Sequence, residues 1–121
     1  MRYWRRRMHE LAVCQDIIAQ VQQLAIEHKA SAIHSITLEI GPLSGVEAAL
    51  LEAAFPIASA GTVAENARLE IAAIPVTVSC NECHQQSEAA PNKLICGHCG
   101  SWKTRLVTGD EMLLKRVELD T

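Results

Sequence analysis

The chain has 121 residues, 49% of them hydrophobic and 3% aromatic. This length and composition are sufficient for one domain with an aliphatic core and a small second unit. No apolar run approaches the roughly 20 residues that a membrane span needs, which excludes a membrane-spanning helix. The net charge is −3, but residues 8–121 hold 7 basic and 14 acidic side chains with Phe55 and Trp102 as their only aromatics, which disfavours nucleic-acid binding.

Residues 1–7 differ in character from the rest, because four arginines stand there without an acidic residue. The stretch fails as a secretory signal, since the residues after it are too polar for an apolar core. A basic arm for a membrane or a nucleic acid is one alternative. We favour a mis-called upstream start or a tag, with Met8 as the first residue of the working protein.

Apolar residues recur at three- and four-residue steps from Glu10 to about Lys29, which predicts an amphipathic helix. The stripe consists of Leu11, Cys14, Ile18, Val21 and Ala25. Because Cys14 belongs to it, we interpret this residue as a buried small hydrophobe rather than a reactive thiol.

Alternation of Ile36, Leu38 and Ile40 with polar residues predicts a half-buried strand, with His34 as a partly exposed edge residue at its entrance. Ser44 and Glu47 match a capping box at the start of a second helix. That helix includes Val46, Leu50, Leu51 and Ala54, is expected to kink or end at Pro56, and exits at Gly61.

A second alternating strand is predicted from Leu69 to about Val78. In the last strand, Met112 and Leu114 stand at even positions, whereas Val117 and Leu119 stand at odd positions. In a regular strand these two pairs would face opposite sides of the sheet. A β-bulge near residues 115–116 would account for this change of face.

The order helix, strand, helix, strand, cysteine region, strand predicts an α+β fold. We expect two helices on one face of a three-stranded sheet, with a zinc-ribbon-like module inserted before the last strand. The predicted units are an extension at 1–7, an α+β domain at 8–78 plus 104–121, and the module at 79–103.

The cysteine region has the spacing C-x2-C-x12-C-x2-C, formed by Cys80, Cys83, Cys96 and Cys99. Two residues between cysteines let both thiolates of one turn reach one ion, and Gly97 and Gly100 permit left-handed backbone in such turns. Two facing turns give the tetrahedral thiolate shell of a structural zinc site. With no signal peptide and an odd cysteine count, metal-bound thiolates in a reducing cytoplasm are favoured over disulfides.

Other readings of the cysteines are an iron–sulfur cluster and a thioredoxin-like redox pair, although the latter occurs once per chain and begins a helix. A zinc hydrolase is disfavoured, because four cysteine ligands leave no open position for a catalytic water. We interpret His84 and His98 as exposed neighbours of the ligands, with tuning or a second metal as the alternative.

Several landmarks follow one another in this chain: Met8-His9-Glu10-Leu11, Ile40-Gly41, Gly61-Thr62, Ala67-Arg68-Leu69-Glu70-Ile71, both C-x-x-C pairs, Cys99-Gly100-Ser101 and Gly109-Asp110-Glu111. This series closely resembles the HypA/HybF family of nickel–iron hydrogenase maturation factors, over residues 8–121. The combination is specific, although each piece except the cysteine pairs is weak alone.

The resemblance implies a nickel metallochaperone, not an enzyme. It implies Ni²⁺ as transported cargo at Met8, His9 and Glu10, with a structural zinc ion at the four cysteines. Ni²⁺ favours nitrogen donors, and an amine on Met8, the His9 imidazole and adjacent amides can chelate it. The implied partners are a HypB-type GTPase and the large subunit of nickel–iron hydrogenase, with no nucleic acid or membrane and with a weak homodimer left open.

The remaining alternative is a zinc-ribbon module for protein interaction, without nickel transfer. This alternative predicts that the function of the protein does not depend on His9. The excess of acidic over basic side chains in residues 8–121 argues against the members of that class that bind nucleic acids.

Overall fold

The structure is a computed structural model that describes the backbone of residues 2–121 and the side chains of residues 10–121. The elements follow in the order α1 (Arg2–Glu27), β1 (Ala32–Ile40), α2 (Ala48–Ser59), β2 (Arg68–Ala73), β3 (Thr77–Cys80), β4 (Gln86–Glu88), β5 (Thr104–Thr108) and β6 (Met112–Asp120). Within this range, neither helix combines the length and apolar character needed to cross a bilayer.

The larger sheet has the strand order β2-β1-β6. Its central strand β1 is parallel to β2 and antiparallel to β6. A parallel neighbour requires a crossover connection, which α2 supplies. Both helices share one buried cluster with this sheet, so the predicted α+β fold with two helices on a three-stranded sheet is confirmed.

The core between helices and sheet is aliphatic. Its largest fully buried hydrophobic side chains come from α1, β1 and α2: Cys14, Val21, Ile36, Leu38 and Leu51. Burial of each large aliphatic side chain contributes about 1.5–3 kcal/mol. The prediction that Cys14 packs as a buried small hydrophobe is confirmed, whereas Leu11 on the same predicted stripe is 38% exposed.

The capping box predicted at the start of α2 is wrong. Glu47 occupies the N-cap position with extended backbone and no side-chain hydrogen bond. Ser44 lies in the preceding turn, where its Oγ accepts a hydrogen bond from Val46 N at 3.2 Å. Gly45 has a φ of +83° and forms a turn here. The Ser44 hydroxyl therefore bonds within this turn rather than capping the helix, which begins at Ala48.

Of the two outcomes predicted at Pro56, a kink or an end of the helix, the end does not occur, because α2 continues to Ser59. Proline removes one helical donor. Pro56 is exposed, so water can reach the carbonyl group that it leaves unpaired. The predicted exit at Gly61 is confirmed by its φ of +76°.

The single strand predicted from Leu69 to Val78 is two strands in two different sheets. β2 ends at Ala73, and Ile74 N still donates to Ile40 O at 3.0 Å. Pro75 then lacks the donor needed to continue the ladder. The chain turns there and enters the second sheet at β3.

The predicted bulge in the last strand is confirmed. Thr37 pairs with Arg116 and Leu38 pairs with Leu114, so Lys115 is the extra residue on β6. The bulge lets Leu114 and Val117 both face the helices despite their opposite parity.

His34 lies at a second register shift rather than at a sheet edge. Ile33 pairs with Leu119 and Ser35 pairs with Glu118, which leaves His34 as the extra residue of the central strand. The predicted exposure is confirmed, but its cause is a bulge.

The second sheet has the order β4-β3-β5, and all its pairs are antiparallel. It extends from Thr77 to Thr108, because β5 pairs with β3. The predicted module at 79–103 lies inside this range.

The loop after β1 and the turn before β6 join the two sheets. Gly41 N donates to Glu111 O at 2.8 Å, and Leu43 N donates to Gly109 O at 2.7 Å. Gly109 N donates to Glu111 Oε1 at 2.7 Å. The N–H of Gly109 is the main cause of a lowered pKa of the Glu111 carboxyl, so this carboxylate is held ionised at the joint.

Candidate metal centre

Each C-x-x-C pair folds into the same backbone loop. In the first, Cys80 N donates to Gln85 O at 2.9 Å and His84 N donates to Cys80 O at 3.0 Å. In the second, at the corresponding offsets, Cys96 N donates to Ser101 O at 2.8 Å and Gly100 N donates to Cys96 O at 3.0 Å. The two loops are therefore structural copies.

The fourth residue after the first cysteine of each loop adopts left-handed backbone. Gly100 has a φ of +75° and His84 a φ of +62°. The predicted left-handed role of Gly100 is confirmed. Gly97 does not adopt a positive φ; instead its N–H donates to Ser87 Oγ at 2.9 Å, and a Cβ there would lie 3.3 Å from Ser87 Cβ.

The role of His84 in this loop was missed by sequence reasoning. A signal for it exists, since Cys80 to His84 and Cys96 to Gly100 are the same number of residues apart. Aligning the two C-x-x-C pairs would have placed His84 at the left-handed position, where an L-residue is strained.

The two loops bring four sulfur atoms together. All four Sγ atoms of Cys80, Cys83, Cys96 and Cys99 lie within 4.8 Å of one another. Two pairs across the loops, Cys80 with Cys99 and Cys83 with Cys96, are 3.6 Å apart. Tetrahedral zinc at about 2.3 Å from each sulfur would place the sulfurs roughly 3.8 Å apart. The cluster therefore has the size and donor set of a structural zinc site.

The first cysteine of each pair sits at the centre of its loop. Two backbone N–H groups donate to Cys80 Sγ, those of Glu82 at 3.3 Å and Cys83 at 3.4 Å. In the second loop, His98 N and Cys99 N donate to Cys96 Sγ at 3.3 and 3.4 Å.

These hydrogen bonds favour the thiolates. The N–H of Cys83, followed by that of Glu82, lowers the pKa of the Cys80 thiol. The N–H groups of Cys99 and His98 lower the pKa of the Cys96 thiol to about 6. Thiolates are the ligands that zinc requires.

The second cysteine of each pair has a raised pKa instead of a lowered one. The N–H of Gln85 lowers the pKa of Cys83, but burial and the neighbouring thiols outweigh it and raise the value to about 12. The pKa of Cys99 is also raised, against the lowering effect of the Ser101 N–H. Zinc binding here therefore displaces protons.

The histidines beside the cysteines are exposed, as predicted. His98 Nε2 lies 3.2 Å from Gln86 O and donates to it in the Nε2-protonated form. Among the described side chains, the one group placed to hold a metal consists of the four cysteines.

The predicted nickel ligands lie in α1, which spans Arg2–Glu27. The side chains of Met8 and His9 lie outside the described residues. Glu10 is 2% exposed and lines one cavity together with Leu50 and Ala54 of α2. Both oxygens of the Glu10 carboxylate are buried, one helical turn before Cys14. Burial, followed by the charge of Glu10, raises the pKa of Cys14 to about 11.

Comparison with known proteins identifies relatives along almost the whole chain. Residues 8–119 match the family model described as "Hydrogenase/urease nickel incorporation, metallochaperone, hypA". A hydrogenase maturation factor HypA from Nitrosospira multiformis is 50% identical over 114 residues, covering 94% of this chain and 99% of that protein. HypA from Aquifex aeolicus is 36% identical, covering 93% and 98%.

The fold also matches a solved relative. The solution structure of the nickel metallochaperone HypA from Helicobacter pylori superposes with a TM-score of 0.65 at 26% identity, covering 92% of this chain and 97% of that one. A further solution structure of a HypA protein gives a TM-score of 0.71 at 27% identity, covering 93% and 96%.

Proposed function

Because this chain belongs to the HypA family of nickel-incorporating metallochaperones for hydrogenase maturation, we propose that it carries Ni²⁺ at Met8, His9 and Glu10 and delivers it to a nickel–iron hydrogenase. The observation that carries the proposal is the family match, which begins at residue 8 with this motif. A metallochaperone is not an enzyme, and nickel is its cargo.

The four-cysteine site does not serve as the nickel carrier in this proposal. Its four sulfur atoms lie within 4.8 Å of one another, and four cysteine ligands suit zinc in a closed, structural site. A carrier must release its metal. Nitrogen donors near a chain terminus are better suited to exchange, and Ni²⁺ accepts them in square-planar geometry.

His9 supplies the imidazole ligand, and Met8 supplies an amine when the chain begins there. An α-amino group has a pKa of about 7.7–8.0 and is available to a metal near neutral pH. A peptide nitrogen at Met8, inside a helix that starts at Arg2, lacks that basicity. We therefore propose that residues 1–7 weaken nickel binding.

Glu10 contributes through its backbone rather than its carboxylate. The side chain is 2% exposed, and both of its carboxylate oxygens are buried. It can fix the start of the packed part of α1 while its backbone nitrogen remains adjacent to His9. This assigns Glu10 a positioning role.

We further propose a HypB-type GTPase and the large subunit of nickel–iron hydrogenase as partners, in the cytoplasm. The family description supports the pathway. A reducing compartment is consistent with five cysteines that form no disulfide.

Nickel titration by calorimetry tests the site. Three zinc-loaded proteins are compared: residues 8–121, the same protein with His9→Ala, and the 121-residue form. We expect one tight Ni²⁺ site in the first, loss of that site in the second and weaker binding in the third. Equal stoichiometric binding by all three would contradict the N-terminal site. Pull-down of a HypB-type GTPase by the same three proteins separates partner binding from nickel binding.

A further inference from the structure

We propose that Cys99 is a site of thiol–disulfide exchange, at which small disulfides react before they reach the other zinc ligands. The reaction ends in a Cys80–Cys99 disulfide and dismantles the zinc site. This makes the four-cysteine module sensitive to the redox state of its surroundings.

The four cysteines differ in their exposure to solvent. Cys80 and Cys96 are each 2% exposed, and Cys83 is half-buried. Cys99 is exposed. A disulfide must approach the attacking sulfur in line with its own S–S bond, so Cys99, the most exposed of the four residues, is the ligand most open to it.

The sulfur atoms also differ in the number of backbone N–H groups that donate to them. Cys80 and Cys96 each accept two backbone N–H groups at 3.3–3.4 Å. Cys99 Sγ has no such pair of donors, because its one contact among the described hydrogen bonds is with Cys80 Sγ at 3.6 Å. N–H···S bonds stabilise the thiolate and reduce its nucleophilicity, as any hydrogen bond to the charged form does. Cys99 is therefore more reactive than either buried ligand.

Cys80 is placed to act as the attacking thiolate in the second exchange. Cys80 Sγ lies 3.6 Å from Cys99 Sγ, on the other loop. The equivalent contact from Cys83 goes to Cys96. Once Cys99 carries a mixed disulfide, Cys80 is the thiolate next to it.

The chemistry balances without a further oxidant. The Cys99 thiolate attacks one sulfur of a small disulfide RSSR, forms Cys99–S–SR and expels RS⁻. The Cys80 thiolate then attacks the Cys99 sulfur, forms the Cys80–Cys99 disulfide and expels a second RS⁻. Two cysteine thiolates are oxidised by two electrons, and RSSR is reduced to two thiolates. The metal is left with two of its four ligands and dissociates.

The test uses the zinc-loaded full chain with glutathione disulfide. Reactions are quenched with acid, free thiols are alkylated and each cysteine is mapped by mass spectrometry, while a chelating dye records zinc release. We expect glutathione on Cys99 at least about tenfold sooner than on Cys96, the ratio that corresponds to one lost hydrogen bond of about 1.4 kcal/mol. The Cys80–Cys99 disulfide should follow, in step with zinc release.

Three outcomes would overturn the proposal. The first is initial modification at Cys83, Cys80 or Cys96, or equal modification of all four. The second is a Cys96–Cys99 disulfide as the product. The third is no reaction of any ligand under conditions in which the unfolded chain reacts.

Two variants sharpen the result. Cys99→His keeps a zinc ligand but removes the exposed thiol, and we expect zinc release to slow about tenfold. Cys14→Ala removes the buried cysteine outside the site, and release should keep its wild-type rate. If Cys99→His fails to hold zinc, the order in which the cysteines of the wild-type chain are modified still tests the proposal, because that measurement needs no variant.

Discussion

Gly41 lies so close to Gly109 that a Cβ on Gly41 would overlap the carbonyl oxygen of Gly109. That carbonyl also accepts the hydrogen bond from Leu43 N at 2.7 Å. The two glycines are far apart in sequence but meet where the larger sheet joins the cysteine-bearing sheet. Their contact determines how the second sheet, which carries the four cysteines, is attached to the larger sheet and its two helices.

The mutation Gly41→Ala is therefore expected to destabilise the protein by about 1–3 kcal/mol, the usual cost of overpacking. The added methyl group meets backbone, which cannot move aside as a flexible side chain can. Urea unfolding of the zinc-loaded protein measures the loss.

Gly45→Ala is the matched control, because it lies in the same loop with open space around its Cβ position. Its φ of +83° predicts a strain of about 1 kcal/mol without overlap. A Gly41→Ala protein as stable as the wild type would contradict the close approach.

A second prediction follows from the copied loops. His84 holds left-handed backbone that Gly100 adopts in the other loop. Replacing His84 by Gly removes a strain of about 1–2 kcal/mol, offset by the greater freedom of glycine when unfolded. We expect a net stabilisation of about 0.5–1 kcal/mol. The reverse change, Gly100→Ala, should destabilise by about 1 kcal/mol.

Thermal unfolding of zinc-loaded proteins compares the two substitutions. Both leave all four zinc ligands in place, so zinc content by atomic absorption should stay at the wild-type level. A lower melting temperature for His84→Gly would show that the imidazole contributes more than its backbone strain costs.

A third prediction concerns pH. Burial first, and the charge of Glu10 second, raise the pKa of Cys14 from 9.0 to about 11. The folded state thus holds this proton more tightly than the unfolded state does. The stability it contributes is complete below pH 9 and is lost as pH rises toward 11.

The loss amounts to about 2–3 kcal/mol, at 1.36 kcal/mol for each pKa unit. Other groups also titrate in this range, so the comparison is with Cys14→Ala. Urea unfolding at pH 8 and pH 11 should show a steeper decline for the wild type. Equal declines would mean that Cys14 does not ionise on unfolding.

The features that sequence reasoning predicted correctly have local causes. The cysteine spacing places two thiolates on one turn, whatever surrounds it. Alternation along residues 36–40 identifies the buried face of β1, and the parity change in the last strand identifies the bulge at Lys115.

Of the features that were missed, some depend on local backbone conformation and others on distant parts of the chain. Ser44 and Glu47 match a capping box, but the turn at Gly45 delays the helix. The strand after Leu69 continues in pattern past Pro75, yet the chain changes sheets there because β5 pairs with β3. No local pattern reports a partner strand that lies thirty residues away.

A fourth prediction concerns removal of zinc. The buried cluster of the protein is formed by the helices and the larger sheet. The cysteine-bearing unit adds few buried side chains of its own, and two of them, Cys80 and Cys96, are zinc ligands. So small a core does not hold a sheet together without its metal.

Treatment with 1,10-phenanthroline should therefore unfold the sheet from Thr77 to Thr108 and leave β2-β1-β6 folded with both helices. Hydrogen exchange followed by mass spectrometry checks this element by element. The amide of Val78, in the centre of β3, should lose its protection, whereas that of Ile36 in β1 should keep it. Re-addition of zinc should restore the pattern, which distinguishes metal loss from irreversible damage. Equal loss at both positions would mean that the two sheets unfold as one cooperative unit.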